Sequence, residues 1–362
     1  MRPHLVVSER AVDRRIAEAS GLPFTVIPAA PLGVRPRAGL RFFQQYLRGR
    51  SATRRLIRET GAVAMLATGG FVSGPAMATA AAAARGIPNA LIGLDAVPGK
   101  ANRWAARRAD AVFAAFPAPG EAFGVRPLPR AEVVGFPLRR GAVASPGVSV
   151  GEARRHFGLD PQRPTLLVFA GSQGARTINE AMIAVASNPG SRGWLSGGGD
   201  TSADGRDSAW QMLHVTGGAG DEHERVGRAY AEAGIAAAVL AYCDRMDWAW
   251  RAADLAITRA GAGTVAEAWA NAVPCVMLPY PFHKDQHQRH NAAPLLQRGG
   301  AVVLIDRIDA AANLRSLGEH LPSLLADPSA RQRMRRALVD EPPRDGAQHL
   351  ADWLTRAAAG GV

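Results

Sequence analysis

The polar and small residues between Asp254 and Asn291, DLAITRAGAGTVAEAWANAVPCVMLPYPFHKDQHQRHN, are spaced to hold a phosphorylated sugar. The run reads as strand, glycine-rich turn, helix, strand, then a polar turn opening another helix. That order puts small residues and helix N-termini at one edge of a parallel sheet. In AGAGTVAE, the backbone amides of Gly261 to Thr264 can cradle a diphosphate, because the first N–H groups of a helix lack carbonyl partners and carry the positive end of its dipole. Glu267, one turn into the helix, has a carboxylate able to accept two ribose hydroxyls. The alternative is an exposed acid favoured by the helix dipole. In HKDQHQRHN, Asp285 suits a helix cap, and Gln288 and Asn291, three apart, reach the same sugar. His283, His287 and His290 share a helix face and could in principle face zinc, but no fourth ligand accompanies them, so no metal site is expected.

Two further glycine turns follow the same grammar. FAGSQGAR (169–176) follows an apolar strand and opens a helix, and TGGFVSGP (68–75) does so earlier in the chain. Each is either an anion-binding turn or a tight connection that binds nothing. Between Arg35 and Arg58 lie eight arginines and no acid, with Leu40, Phe43, Tyr46 and Leu47 as an apolar side. Such a stretch is either a membrane-surface helix or one that packs its apolar residues inward and solvates its arginines.

Short apolar runs alternate with helical patterns to position these residues. Strands are expected at 4–7, 24–28, 62–67, 88–92, 110–115, 131–134, 164–170, 211–215, 236–241, 254–258, 274–278 and 301–305. Repeated strand–helix–strand order predicts an α/β chain with parallel sheets covered on both faces. Pro137–Val150 reads as a linker, 188–208 as a surface loop, and 308–358 as helical with a break near Pro342–Pro343. Domains are expected over 1–138 and 150–340, with a C-terminal helix in 341–362 that packs back on the first domain. The 362 residues contain no apolar run long enough to span a membrane and no signal peptide. The net charge of +12 would admit nucleic acid, anionic lipid or a phosphorylated substrate, but no nucleic-acid recognition motif accompanies it. Cys243 and Cys275, both in apolar strand-like surroundings, read as structural thiols of a cytosolic protein.

In register, TGGFVSGP, GIPNAL, PGKANRWAARRADAVFAAFP, AEVVGFPLR, AGSQGARTIN, YCDRM, ADLAITRAGAGTVAEA and HKDQHQRHNA resemble the MurG family over nearly the whole chain. The resemblance implies the GT-B fold, two doubly wound Rossmann-like domains facing across a cleft. It implies a hexosyltransferase that moves GlcNAc from UDP-GlcNAc to a polyprenyl-diphosphate-linked acceptor, lipid I, making lipid II for peptidoglycan. Ser172, with Gln173 and Gly174, corresponds to the family's turn that meets UDP. Cys243 stands where a backbone reads the uracil edge. Ala262, Gly263, Thr264, Val265 and Ala266 supply the diphosphate run and Glu267 the ribose contact. Gln288, with Asn291 close by, faces the sugar. Arg139, in GFPLR, matches a family arginine that can stabilise the leaving diphosphate. Thr68, Gly69, Gly70 and Ser73 fall on the acceptor side.

Two departures concern the acceptor. The family opens with a strand and a GTGGH loop, whereas Met1 here falls just ahead of the second family strand. The family's HEQN is replaced by Ile92-Gly93-Leu94-Asp95, which leaves Asp95 as the candidate general base and a substrate-binding residue. The chemistry implied is inverting and needs neither metal nor cofactor, since no Asp-x-Asp pair is present. The expected partners are UDP-GlcNAc, the lipid acceptor and an anionic membrane surface, with the protein peripheral on the cytoplasmic face of the plasma membrane. A GT-B transferase for another lipid and a non-catalytic UDP-sugar-binding homologue are the alternatives.

Overall fold

Each of the predicted apolar runs contains a strand. They are β1 (Leu5–Val7), β2 (Phe24–Val26), β3 (Met65–Ala67), β4 (Asn89–Gly93), β5 (Ala111–Ala114), β6 (Glu132–Val133), β7 (Thr165–Phe169), β8 (Gln211–Val215), β9 (Ala237–Leu240), β10 (Leu255–Thr258), β11 (Cys275–Met277) and β12 (Ala301–Val303). The structure, a computed structural model, describes residues 2–29, 36–70, 72–82, 86–117, 130–170, 176–196, 209–217, 220–282 and 285–360. The chain divides into two units. One is Met1–Pro137 with Asp345–Val362, the other Leu138–Arg344.

The second unit is built on one parallel six-stranded sheet ordered β9-β8-β7-β10-β11-β12. Strands β7, β8, β10 and β11 are buried at every residue, as required when helices cover both faces. Chain order reverses between β7 and β10, so the crevice beyond their C-terminal ends is where a ligand is expected. Asp254, just before β10, fixes that neighbour pair: its Oδ2 accepts from Thr165 N at 2.7 Å and from Arg154 Nη2 at 2.6 Å. The core beneath includes Trp210, Tyr230, Leu166, Ile178 and Met182. Two expectations change here. Residues 189–196 form two short helical turns rather than loop, because Asn188 caps Gly190 N and Pro189 starts the first turn. The expected linker is fastened to this unit: Asn271 Nδ2 donates to Ala142 O at 2.9 Å and Arg251 Nε to Val148 O at 2.8 Å. A capping box of Ser149 and Glu152 then opens the helix Val150–His156.

A titratable ring lies inside this core. His214 on β8 is fully buried between Tyr230 Oη (2.8 Å) and Asn179 Oδ1 (3.0 Å). Burial pushes its pKa down from 6.5 to about 3. The folded state therefore favours the neutral ring. Its stabilisation is complete above pH 6.5 and is lost progressively as pH falls toward 3. Urea denaturation is expected to show stability falling from pH 7.5 to pH 5, and His214→Gln is expected to flatten that dependence. An equal pH slope in the two proteins would contradict the assignment.

In the first unit, β1 pairs with β2, and a separate parallel sheet runs β3-β4-β5-β6. The expected doubly wound sheet is thus present as two pieces among the described residues. The helix Gly346–Ala358 packs Leu350, Trp353 and Ala357 onto Ala90, Ile92, Phe113 and Val134. Gly346 permits this docking, since a Cβ there would lie 2.2 Å from Gly135 O. No helix among the described residues is long and apolar enough to cross a membrane.

Candidate active site

Strand β10 leads through Arg259 and Ala260 to Gly261, which caps the helix Ala262–Ala270 with extended backbone (φ −62°, ψ 147°). Glycine offers no side chain to cap the helix. No bond from another described residue reaches the amides of Ala262, Gly263 and Thr264. These three N–H groups are open, the arrangement that an anion cradle at a helix N-terminus requires. The cradle ends there: Val265 N donates to Gly261 O at 3.0 Å, and the Val265 and Ala266 side chains are in the core. The side chains of those two residues thus build the helix beneath the three open amides.

Glu267 lies in the second turn of this helix and is half-buried. That excludes the alternative of an exposed acid at the helix start. Its Oε2 accepts from the Trp250 indole Nε1 at 3.0 Å. Burial pushes its pKa up, partly offset by the Trp250 bond and by the positive charge of Arg139. The charge of Arg139, 128 positions away in sequence, thus acts on Glu267.

After β11 the chain passes Tyr280 and Phe282, whose rings lie 5.2 Å apart, to the helix His287–Arg298. Gln288, half-buried, accepts Tyr280 N at its Oε1 (2.8 Å), so its NH2 is the end that can address a hydroxyl. Asn291 differs from expectation. It is fully buried and its Nδ2 donates to Ala260 O at 3.3 Å, so it braces the turn before the cradle. Asp285 does not occupy the cap position, which Gln286 takes in a left-handed conformation. Its Oδ1 still accepts from His287 N at 3.3 Å and lies 2.8 Å from His287 Nδ1. Cys243 is buried in the turn after β9 rather than in a strand, and burial pushes its thiol pKa up. Cys275 does lie in a strand, β11. Ser172, Gln173, Gly174, His283 and Arg35 lie outside the described residues.

In the first unit, Thr68 is exposed and Gly69 and Gly70 follow β3 at φ +92° and +81°, conformations that favour glycine. A Cβ at Gly69 would meet the Asn102 amide at 2.8 Å. Ser73 is buried, and its hydroxyl donates to Gly69 O at 2.6 Å, so its side chain closes the turn and is not presented to a ligand. Asp95 is exposed just past the end of β4.

One arrangement had no sequence-level counterpart. Arg259 donates through Nη1 to Asp306 Oδ2 (2.5 Å) and Leu278 O (2.8 Å), and through Nη2 to Thr177 Oγ1 (2.6 Å). Asp306 also accepts from Thr177 Oγ1, Asn313 Nδ2 and Ile308 N. Burial pushes the Asp306 pKa up, but these bonds outweigh it and hold the carboxyl below its usual range. The pair joins the exits of β10, β11 and β12 to the helix that follows β7. The available signal was an arginine directly before a glycine turn, in ITRAGAG, where a spacer would ordinarily be small.

Residues 165–350 match the glycosyltransferase family 28 C-terminal domain, and residues 2–114 match its N-terminal domain. The UDP-N-acetylglucosamine–N-acetylmuramyl-(pentapeptide) pyrophosphoryl-undecaprenol N-acetylglucosamine transferase of Clavibacter michiganensis is 36% identical over 98% of this chain and 88% of its own length. The same-named protein of Acidothermus cellulolyticus is 36% identical over 98% of this chain and 89% of its own. Among solved structures, Acinetobacter baumannii MurG superposes with a TM-score of 0.69 at 21% identity, covering 98% of this chain and 91% of that one, and this places the chain in the GT-B fold. By these matches the chain belongs to the MurG family within glycosyltransferase family 28.

Proposed function

We infer that this protein transfers N-acetylglucosamine from UDP-GlcNAc to lipid I, undecaprenyl-diphosphate-MurNAc-pentapeptide, and so forms lipid II for peptidoglycan synthesis. What carries the reading is the open cradle of Ala262, Gly263 and Thr264 beside half-buried Glu267 at the β7/β10 reversal, in a chain that matches transferases of that name over nearly its whole length. The acceptor hydroxyl attacks the anomeric carbon opposite the UDP. The new C–O bond forms as the bond to the diphosphate breaks, so configuration inverts and UDP leaves with the electron pair. Negative charge grows on the leaving diphosphate, where the cradle amides and Arg139 stabilise it more than in the ground state. Glu267 accepts from the ribose, the Gln288 NH2 addresses the sugar, and the backbone at Cys243 reads the uracil. By the family resemblance Ser172, with Gln173 and Gly174, meets the UDP, and Asp95 is the candidate that receives the acceptor proton.

An acceptor panel tests the acceptor half of this reading. With UDP-GlcNAc, glycosylated product is expected from lipid I and not from diacylglycerol-based acceptors. Product from the latter alone would reassign the enzyme to another lipid, and donor binding with no product from any acceptor would favour a non-catalytic homologue.

The acceptor is membrane-bound, and the helix Pro36–Thr60 has the surface to meet it. Phe42 and Tyr46 stack 6.1 Å apart, and Tyr46 meets Trp104 edge-on, which makes this the inward face. Tyr46 thus leaves the apolar side to which the sequence assigned it. Leu40, Phe43 and Leu47 point outward, 61%, 57% and 46% exposed, with Arg41, Arg48, Arg54, Arg55 and Arg58 also exposed. An outward apolar stripe among arginines suits insertion at an anionic interface on the cytoplasmic side of the plasma membrane. Reversing Arg48, Arg54 and Arg55 to Glu is expected to weaken sedimentation with anionic vesicles by ~100-fold, from about 1 kcal/mol per arginine near the surface. Undiminished sedimentation would refute the contact.

A further inference from the structure

The indole of Trp250 is buried, with 1% of its surface exposed, in the helix Met246–Ala252. Its ring meets Phe169, the last residue of β7, edge-on at 5.3 Å and 84°, while its Nε1 donates to Glu267 Oε2 at 3.0 Å. One side chain therefore touches the end of β7 and the carboxylate on the helix that follows β10. A buried indole N–H needs an acceptor, and a half-buried carboxylate needs donors. Each satisfies the other, and Phe169 holds the indole plane.

We propose that Trp250 is a positioning residue for the donor: it holds Glu267 through Oε2 and presents Oε1 to the ribose of the uridine nucleotide. The proposal rests on the reading of Glu267 as the ribose contact. A carboxylate rotating freely about its last torsion would lose conformational freedom on binding ribose, whereas one fixed by the indole is already oriented. The indole N–H also favours the ionised form, the one that accepts hydroxyl protons. Arg139 supplies the charge that acts on the same group. Loss of the N–H then moves the Glu267 pKa up, and the acid limb of donor binding moves to higher pH.

The test compares UDP with 2′,3′-dideoxy-UDP by calorimetry, since the ratio of their affinities isolates the ribose contact from general damage to the fold. In the unaltered protein UDP is expected to bind ~10–100-fold tighter, the range for hydrogen bonds to a charged group. Glu267→Gln should collapse the ratio toward unity. Trp250→Phe should reduce it ~10-fold and shift the acid limb upward, while Trp250→Tyr, whose hydroxyl is a donor, should restore part of it. An unchanged ratio in Trp250→Phe together with a collapsed ratio in Glu267→Gln would overturn the positioning role alone. An unchanged ratio in Glu267→Gln would overturn the ribose reading itself. If the variants fail to fold, hydrogen exchange of the Trp250 indole N–H in the unaltered protein decides. It is expected to stay protected when UDP binds, and loss of protection on binding would refute the proposal.

Discussion

Glu267→Ala is expected to lower UDP-GlcNAc affinity ~10–100-fold, the value of hydrogen bonds accepted by a charged group, with the protein still folded. The folded state survives because Glu267 forms no ion pair among the described residues: the Trp250 indole N–H and the charge of Arg139 only partly offset its burial, which raises its pKa, so the carboxylate is held at some cost. Alanine leaves the Trp250 N–H without its acceptor, a loss of about 1–3 kcal/mol, while relieving the desolvated charge. Removing the carboxylate also releases Arg139 from its field, so the effect extends to the leaving diphosphate and to turnover. Calorimetry with UDP-GlcNAc and a thermal melt check the two halves of the expectation. Unchanged donor affinity would remove Glu267 from the site.

Asp306→Ala is expected to cost the second unit about 3–5 kcal/mol of stability, because it leaves the Arg259 guanidinium buried without its counter-charge. The same carboxylate holds Ile308 N and Asn313 Nδ2. Ile308 sits at φ +65°, an unfavourable conformation for a β-branched residue, and Asp306 Oδ1 is what holds its amide there. With the carboxylate gone, the β12 exit relaxes and Arg259 loses the anchor that ties the β10 exit to Thr177. Asp306→Asn, which keeps the shape and can still accept from Ile308 N, is expected to lose less stability. Urea denaturation of the three proteins checks the order, and equal stability of the alanine variant would contradict the role given to the pair.

Much of this architecture was legible because it depends on local pattern. Apolar runs of four to seven residues between helical stretches located the strands, and their alternation with helices indicated parallel sheets covered on both faces. Glycine turns at strand ends located the cradle, and the spacing to Glu267 placed the acid on the same helix. Contacts set by tertiary packing were not legible. Arg259 and Asp306 are 47 residues apart, and nothing in either local context shows that they meet. Asn291 looked like a ligand because it is polar and three residues from Gln288, yet the helix rotates it into the core, where Ala260 O takes its amide. The basic helix showed an apolar side without showing which apolar residues pack. Trp104 decides that by engaging Tyr46, which leaves Leu40, Phe43 and Leu47 outside. The helical turns at 189–196 were hidden by Gly and Ser composition, although Asn188-Pro189 is a helix start.

The most direct measurement supplies purified protein with isotope-labelled UDP-GlcNAc and lipid I in anionic vesicles, in the presence of a divalent-ion chelator, and follows lipid and nucleotide by mass spectrometry. The predicted result is one labelled GlcNAc on each lipid I consumed and one UDP released per transfer, at a rate unaffected by the chelator. Unmodified lipid I beside intact UDP-GlcNAc, or beside free labelled GlcNAc from hydrolysis, would contradict the assignment of this chain as the transferase that makes lipid II.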